Sequence, residues 1–293
     1  MAAVDTAPAR RRRSPGSWFA DIGWRYLVGL LAIVYAGFPI LYVVSASLAR
    51  NGRLAGSNRL FGTVSGDNYQ ALSQTRFWQW VVNTLVVASV TAVATVLMGA
   101  AAAYAFSRFR FRGRRLALGS LLVIQMFPQL LAFVAVFLLL LTLGEVVPAL
   151  GLNSRLGLIC VYLGGALGVN TFLMYGFFNT IPREIDEAAK IDGASHAQIF
   201  WGIILRLAAP ILAVVALLSF ISSFSDFLLA KLILQSEQNW TLAVGMYQWV
   251  SNQTDANWGL FAAGAVVSAV PVVALFLFLQ KYIVGGLTVG SVK

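Results

Sequence analysis

Long apolar runs separated by polar breaks dominate the pattern of this chain. Each run has at least about 20 residues, the length that an α-helix needs to cross a hydrocarbon core of about 30 Å. Because lipid offers the backbone no hydrogen-bond partners, these runs are expected to form helices. The pattern predicts an all-α integral membrane protein with six transmembrane helices. The predicted spans are residues 24–48, 80–106, 116–141, 157–178, 209–230 and 260–284.

Composition supports a membrane protein and excludes a soluble one. Of the 293 residues, 59% are hydrophobic and only 11% are charged, whereas soluble domains contain about 25% charged residues. A single helical bundle is therefore predicted, rather than two soluble domains. Its parts are a basic N-terminal tail at 1–23, the first span at 24–48, a core transmembrane domain at 77–284 and a C-terminal tail at 285–293.

The distribution of basic residues predicts the orientation. Most of the 21 lysines and arginines lie in the N-terminal tail or after the second, fourth and sixth predicted spans, including an arginine cluster at 108–115. The positive-inside rule places these segments, and hence both termini, in the cytoplasm. The net charge of +10 is accordingly attributed to topology and to attraction for anionic membrane lipid. Since no nucleic-acid-binding motif accompanies the charge, nucleic acid is not an expected partner.

The sequence lacks the residue sets that metal and catalytic sites need. It contains one cysteine, Cys160, and one histidine, His196, so it cannot assemble a Cys/His metal cluster or a disulfide by itself. It also lacks the glycine-rich Walker sequence that binds nucleotide phosphates. We therefore expect a non-catalytic chain with no cofactor and no metal of its own.

The break between the fourth and fifth spans, residues 179–208, is the most informative segment. It is too strongly charged to lie within the bilayer, so it must contact water or another protein. Pro182 suits the start of a helix, and the four-residue spacing of Asp186 and Lys190 supports one. A short helix is therefore predicted in its first half.

A turn and a second helix are predicted to follow. Gly193 accepts the left-handed conformation that ends helices, and the spacing of Ser195 and Gln198 fits a capping box at the start of the next one. A rigid, charged helix-turn-helix suits docking into a cleft on a soluble partner. A surface helix lying on lipid is the alternative interpretation.

The same loop resembles a known family motif. Glu187-Ala188-Ala189 followed by Asp192-Gly193-Ala194, with Phe200 and Pro210 beyond, is similar to the EAA motif of ABC importer permeases. The resemblance extends over residues 68–293. Three segments are most similar to the MalG-type subunits of maltose/maltodextrin importers, namely residues 240–246, 258–265 and 286–288.

The resemblance implies a multi-pass permease of the bacterial cytoplasmic (inner) membrane. It would carry a sugar, such as maltose or maltodextrin, that an extracytoplasmic binding protein or lipoprotein delivers. It would act with a second, homologous permease of the MalF type and with a dimer of ABC ATPase subunits that bind ATP and Mg. In this family the loop forms a cytoplasmic coupling helix between the fourth and fifth spans. The implied ATPase-coupling residues are Glu187, Ala188, Ala189, Asp192, Gly193 and Ala194.

The resemblance implicates two further segments. The C-terminal tail is expected to contact the ATPase, with a frayed terminus as the alternative. The loop after the fifth span is expected to contact the binding protein, although aromatic residues also gather at membrane interfaces without such a role. The residues concerned are Leu287, Thr288 and Lys293 in the tail, and Trp240, Tyr247, Trp249 and Asn252 in the loop.

Polar residues within the predicted spans are candidates for lining a transport pathway, because polar groups are costly in lipid unless they have a role or a partner. Asp226 is the strongest candidate, because it is the one carboxylate among them. A partner within the bundle would satisfy its carboxylate without any function. The candidates are Asn83, Gln125, Gln129, Asn170, Ser222, Ser223 and Asp226.

One position departs from the family pattern. Arg206 follows Leu205 where the family usually has proline. Arginine restores a backbone donor, and its long side chain reaches the lipid headgroups. A softer bend is therefore expected before the fifth span.

Alternative functions follow from the same features. Another solute, such as trehalose or glycerol phosphate, would suit a permease of this type. An ATP-independent secondary transporter is the alternative from a different class, and it would need buried relay groups and often internal repeats. The sequence shows one strong candidate acid and no clear repeat, which favours the ABC permease.

Overall fold

The computed structural model describes residues 22–50, 60–62, 64–252 and 256–289. These residues are helical apart from short connections, a 3₁₀ turn at Pro148–Leu150 and an isolated β-bridge between Ala49 and Val64. The all-α prediction is confirmed for this part of the chain. Its helices are α1 (Trp24–Ser47), α2 (Asp67–Ser73), α3 (Phe77–Arg108), α4 (Arg114–Gln125), α5 (Gln129–Val146), α6 (Arg155–Phe178), α7 (Arg183–Ile191), α8 (His196–Leu207), α9 (Ala209–Ser225), α10 (Leu228–Ile233), α11 (Leu242–Tyr247) and α12 (Trp258–Val289).

Four helices in the described ranges are long and apolar enough to cross a membrane, namely α1, α3, α6 and α12. Two bent pairs, α4 with α5 and α8 with α9, meet the same criterion when each pair is taken as one span. The structure therefore contains four to six candidate spans, against the six that the sequence predicts.

The structure divides the third predicted span, 116–141, into two helices. α4 ends at Gln125, α5 begins at Gln129, and the two axes are bent by more than 40°. Pro128 lies in the break with an extended ψ of 115°. Because proline has no backbone donor and its ring obstructs the preceding turn, a straight helix through this position is disfavoured.

The last two predicted spans also end differently. α9 stops at Ser225 because Asp226 has an extended ψ of 130°, so the predicted span 209–230 comprises α9 and the start of α10. α12 continues to Val289, so the first residues of the predicted tail 285–293 are helical. The remainder of that tail, with Lys293, and residues 1–21 of the basic tail lie outside the described residues.

α3 is the central helix and packs along both α6 and α9. Gly99 and Ala103 are buried in this packing, and such small residues let helix backbones approach closely in lipid. One hydrophobic cluster surrounds Tyr104 near the last turn of α3, and it includes residues of α7. Another surrounds Trp80 near the first turn and includes residues of α11. We refer to these as the α7 end and the α11 end of the bundle.

α1 is attached to the bundle mainly along α12 and at its own last turn. Its apolar side chains are largely exposed, up to 85% for Tyr35. The last turn is fixed by the Asn68 side chain, which donates to the carbonyls of Ser47 at 2.9 Å and Ala49 at 3.0 Å. Lipid chains are as apolar as these side chains, so such a surface is compatible with a position at the edge of a membrane bundle.

Candidate coupling and translocation sites

α7 forms where the sequence predicts a short helix. Pro182 precedes it with an extended ψ of 139°, and Glu184 and Asp186 occupy its first turn while Lys190 lies in its last. Acidic residues at the start and a basic residue at the end complement the helix dipole. Charge and the preceding proline therefore set both ends of the element.

The two faces of α7 have opposite characters. Asp186 and Ala189 are buried against the bundle. Glu187 and Ala188 are exposed on the other face, which ends in Ile191, an apolar side chain that is 87% exposed. This face, with one largely exposed apolar side chain beside charged ones, is accessible to another protein.

The turn after α7 follows the predicted geometry. Gly193 has a φ of +83°, and its N–H donates to the carbonyl of Lys190 at 3.0 Å. The N–H of Ala194 donates to the carbonyl of Ala189 at 2.9 Å. These bonds satisfy carbonyls that the helix end leaves free, and the left-handed conformation favours glycine. The capping box of Ser195 then starts α8.

The helix-turn-helix rests on a hydrophobic seat. Ile199, Phe200 and Ile204 of α8 are buried in the cluster around Tyr104 and Phe178. The rings of Tyr104 and Phe200 lie 5.1 Å apart. Burial of several large apolar side chains stabilises the packing of the element on the bundle.

A buried ion pair also joins α7 to α3. Nε of Arg108 lies 2.6 Å from Oδ2 of Asp186, and the two side chains are only 5% and 7% exposed. The four-residue spacing predicts a pair of Asp186 with Lys190 within the helix, which the structure contradicts, because Asp186 faces the bundle while Lys190 is exposed. The signal that could have found the pair is the position of Asp186 on the same face as Ala189, which requires a buried partner.

The bend before α9 is sharp despite the arginine. α8 and α9 meet at 79°, at Ala208, which has a φ of −87° and a ψ of 3°. Arg206 is exposed two residues earlier. Pro210, in the first turn of α9, suits the start of a helix and disfavours continuation of the preceding one through its position, so the bend does not need a proline at 206.

A cavity of about 800 Å³ lies among α5, α6 and α9. It brings together four of the predicted pathway residues, Asn170, Ser222, Ser223 and Asp226, and adds Ser219, which is not among the predicted ones. The lining is otherwise mainly apolar. A cavity with a few convergent polar groups is the usual form of a small-molecule site.

Asp226 has partners within the chain. Its Oδ2 accepts a hydrogen bond from the Tyr162 hydroxyl at 2.7 Å and another from the backbone N–H of Ala230 at 3.0 Å. The second bond satisfies one of the free backbone donors in the first turn of α10. The carboxylate therefore has a structural role at the break between α9 and α10 as well as a place on the cavity wall.

Two predicted pathway residues lie elsewhere. Asn83 is buried at the α11 end, where its amide donates to the carbonyls of Gln238 and Trp240 at 2.8 and 3.0 Å. Gln125 donates to the carbonyl of Gly165 at 2.8 Å and packs closely on α6. The side chain of Gln129 is outside the described residues. Asn83 and Gln125 therefore join segments of the bundle and do not line the cavity.

The predicted binding-protein loop divides into residues that pack on Trp80 and residues that are exposed. Trp240 and Trp249 pack on the buried ring of Trp80, with ring centroids 6.2 and 5.6 Å away. Tyr247 and Asn252 are exposed. The tryptophans thus stabilise the α11 end, and the exposed pair forms the accessible part of this surface.

The predicted tail contacts are only partly described. Leu287 and Thr288 lie within the helical continuation of α12, and their side chains are outside the described residues, as is Lys293. The structure therefore describes only a helical backbone for this segment, as far as Val289.

Asn153 has a structural role that the sequence pattern does not predict. Its side-chain oxygen accepts hydrogen bonds from the N–H groups of Gln235 and Ser236, at 3.1 and 2.9 Å, and from the Ser236 hydroxyl at 2.9 Å. Its φ of +59° is left-handed, a conformation that asparagine tolerates better than most residues. It fixes the segment before α6 to the loop after α10.

Asn153→Ala should therefore lower the free energy of unfolding by about 1–2 kcal/mol, because three donors lose their acceptor. Thermal unfolding of the detergent-solubilised protein measures the change. Asn153→Asp keeps both the acceptor and the backbone tolerance and should melt near the wild type. Equal losses for the two variants would contradict the assigned hydrogen bonds.

Long apolar helices, a charged helix-turn-helix with one exposed face and a cavity with polar groups together define a multi-pass membrane protein with features of a transporter. The chain belongs to the family described as binding-protein-dependent transport system inner membrane component, whose model matches residues 95–289. It is thus a protein of the inner membrane.

Curated relatives and a solved structure match most of the chain. The maltodextrin transport system permease protein MdxG of Bacillus subtilis is 41% identical over 265 residues, covering 90% of this chain and 93% of the relative. The maltose/maltodextrin transport system permease protein MalG of Escherichia coli is 38% identical, with 95% and 98% covered. A chain from the crystal structure of a bacterial ABC transporter involved in alginate import has a TM-score of 0.74 and 26% identity, with 93% and 99% covered.

Proposed function

We propose that this chain is one of two membrane-spanning subunits of an ATP-driven, binding-protein-dependent importer for a neutral oligosaccharide of the maltodextrin type. The family assignment and the two permease relatives support the importer and the substrate class. The observation that carries the mechanism is the free face of α7, with Glu187 beside the exposed Ile191.

The proposed topology has six spans, counting each bent pair as one, and both termini in the cytoplasm. The α7 end carries most of the basic residues in the described part of the chain, which favours a cytoplasmic position for it. The α11 end is then extracytoplasmic, where a binding protein would dock on the surface that includes Tyr247 and Asn252. The basic residues at the α7 end are Arg108, Arg110, Arg112, Arg114, Arg115, Arg183, Lys190 and Arg206.

In this proposal α7 is the coupling helix and docks on a dimer of ABC ATPase subunits. Ile191 would insert into an apolar groove, and the Glu187 carboxylate would accept a charge-assisted hydrogen bond from a basic residue. ATP and Mg bind to the ATPase and not to this chain. Closure of the ATPase on ATP would shift the bundle between inward-facing and outward-facing states, because the two states bind the closed ATPase differently.

The cavity among α5, α6 and α9 is proposed to form this subunit's wall of the pathway. The Ser222 and Ser223 hydroxyls and the Asn170 amide suit the hydroxyl groups of a neutral sugar, because they both donate and accept hydrogen bonds. A second, homologous permease of the MalF type would close the pathway opposite this wall.

The test is ATP hydrolysis by the complex reconstituted in vesicles with the second permease, the ATPase and the binding protein loaded with maltotriose. Ile191→Asp should weaken ATPase docking by about 2 kcal/mol, the loss typical of a central interface residue. Stimulated hydrolysis should fall roughly 30-fold, since about 1.4 kcal/mol corresponds to a factor of ten. Glu187→Ala should show a smaller loss in the same direction.

Glu145→Ala is the matched control, because Glu145 is an exposed carboxylate at the end of α5 and has no place in the proposed contact. It should behave like the wild type. Uptake that needs no ATPase, and that is indifferent to Ile191→Asp, would replace the importer by a secondary transporter. Stimulation by a different sugar would keep the importer and change its substrate class.

A further inference from the structure

We propose that Arg108 and Asp186 form a positioning pair that fixes α7 to the end of α3, so that movement of the docked helix reaches the central helix of the bundle. The proposal rests on the coupling function argued above and names the residues that would transmit it. Neither residue faces the free surface of α7, so the pair acts through the helix and does not contact the ATPase.

One guanidinium contacts the coupling segment at two places. Nε of Arg108 lies 2.6 Å from the Asp186 carboxylate, and a terminal nitrogen of the same group donates to the carbonyl of Ile181 at 3.1 Å. Ile181 precedes α7 and Asp186 lies in its first turn. Two contacts from one planar group fix the direction of a helix better than a single contact does.

The residue before Arg108 adds two more links. The carbonyl of Ser107 accepts a hydrogen bond from Arg183 at 2.9 Å, and the hydroxyl of Ser107 donates to the side-chain oxygen of Asn179 at 2.9 Å. The last turn of α3 therefore holds the coupling segment from residue 179 to residue 186. All four links come from two adjacent residues of one helix.

The position of α3 makes this attachment consequential. α3 packs along both α6 and α9, and these two helices line the cavity. A displacement of α7 that is passed to α3 would therefore reach two of the helices that form the proposed pathway. The hydrophobic seat of α8 is a second attachment, but apolar contacts are less directional and allow sliding.

The chemistry of the pair favours positioning over stability. A buried ion pair often contributes no more to stability than well-packed apolar residues of similar volume would. Among the described residues, neither Oδ1 of Asp186 nor Nε of Arg108 has an aligned hydrogen-bond partner, so the 2.6 Å approach is an ion contact. The pair therefore fixes the direction of α7. Apolar packing at this position would stabilise the bundle without fixing that direction.

The test measures maltotriose transported per ATP hydrolysed in the reconstituted complex. Asp186→Asn should lower this ratio about tenfold, a size typical of coupling between distant sites. The double variant Arg108→Met with Asp186→Leu leaves no unpaired buried charge, so it should assemble with its partners yet remain uncoupled. Asp186→Glu retains the charge and should recover much of the ratio.

Arg76→Gln is the matched control. Arg76 forms an ion pair with Glu237 at 3.5 Å, but both side chains are 49% exposed at the α11 end, where exposed pairs contribute little. The complex with Arg76→Gln should transport as much maltotriose per ATP hydrolysed as the wild type does. Co-purification of the partner subunits reports assembly separately.

The outcomes distinguish this inference from the proposed function. A double apolar variant that couples as well as the wild type would overturn the positioning role, and one that fails to assemble would make the pair a folding requirement and overturn it as well. If the wild type itself shows no hydrolysis stimulated by the binding protein, the proposed function fails first. If the wild type and the variants are all equally coupled, the positioning role is wrong but the proposed function stands.

Discussion

Gly193→Val should reduce maltotriose-stimulated ATP hydrolysis about tenfold or more while leaving the membrane bundle folded. Gly193 has a φ of +83°, and a β-branched residue there is strained by roughly 1–3 kcal/mol, which corresponds to about 5- to 150-fold in an equilibrium. A Cβ added at Gly193 would meet nothing within 4 Å, so the expected cost comes from backbone strain. Relief of that strain would turn the end of α7 and misdirect its free face.

Two companion variants separate strain from other causes. Gly193→Asn should lose less activity, because asparagine tolerates the left-handed region. Gly202→Ala, in α8, also places a Cβ in open space but at an ordinary helical φ, and it should match the wild type. Equal losses for valine and asparagine at position 193 would show that the turn geometry is not what the activity depends on.

The local structure of the coupling segment follows from short-range rules, which is why the sequence predicts it well. The glycine turn and the capping box each depend on residues within a few positions of one another. The long apolar runs likewise predict most helices. Breaks inside those runs are harder to place, since Pro128 ends a helix here while Pro271 lies within the unbroken α12.

The parts that the sequence does not predict depend on contacts between distant segments. Arg108 and Asp186 are 78 positions apart, and a charge spacing within one helix pointed to Lys190 instead. Asn83 has the same polar character as Asn170, yet only Asn170 faces the cavity. The burial of each side chain and its direction in the folded bundle decide these roles. Neither property follows from the residue type alone.

Gly245→Val should lower the free energy of unfolding by about 3 kcal/mol, at the upper end of the cost of overpacking a buried contact. A Cβ at Gly245 would collide with the ring of Trp80, which is only 3% exposed and is held by a hydrogen bond from its Nε1 to the carbonyl of Glu237 at 3.1 Å. At so short a separation something must shift, and a buried, hydrogen-bonded ring is not the far end of a flexible side chain. Thermal unfolding in detergent and protease cleavage near α11 would both report the loss.

A double-mutant cycle shows whether the contact itself is responsible. In a Trp80→Leu background, the smaller side chain leaves space for the added atoms, so Gly245→Val should cost less than it does in the wild type. Residues in direct contact show such coupling, whereas independent sites add. Gly176→Ala, where an added Cβ meets nothing within 4 Å, should change the melting temperature little in either background. Strict additivity of Trp80→Leu and Gly245→Val would mean that α11 does not pack on Trp80, and the α11 end would then need another explanation for its order.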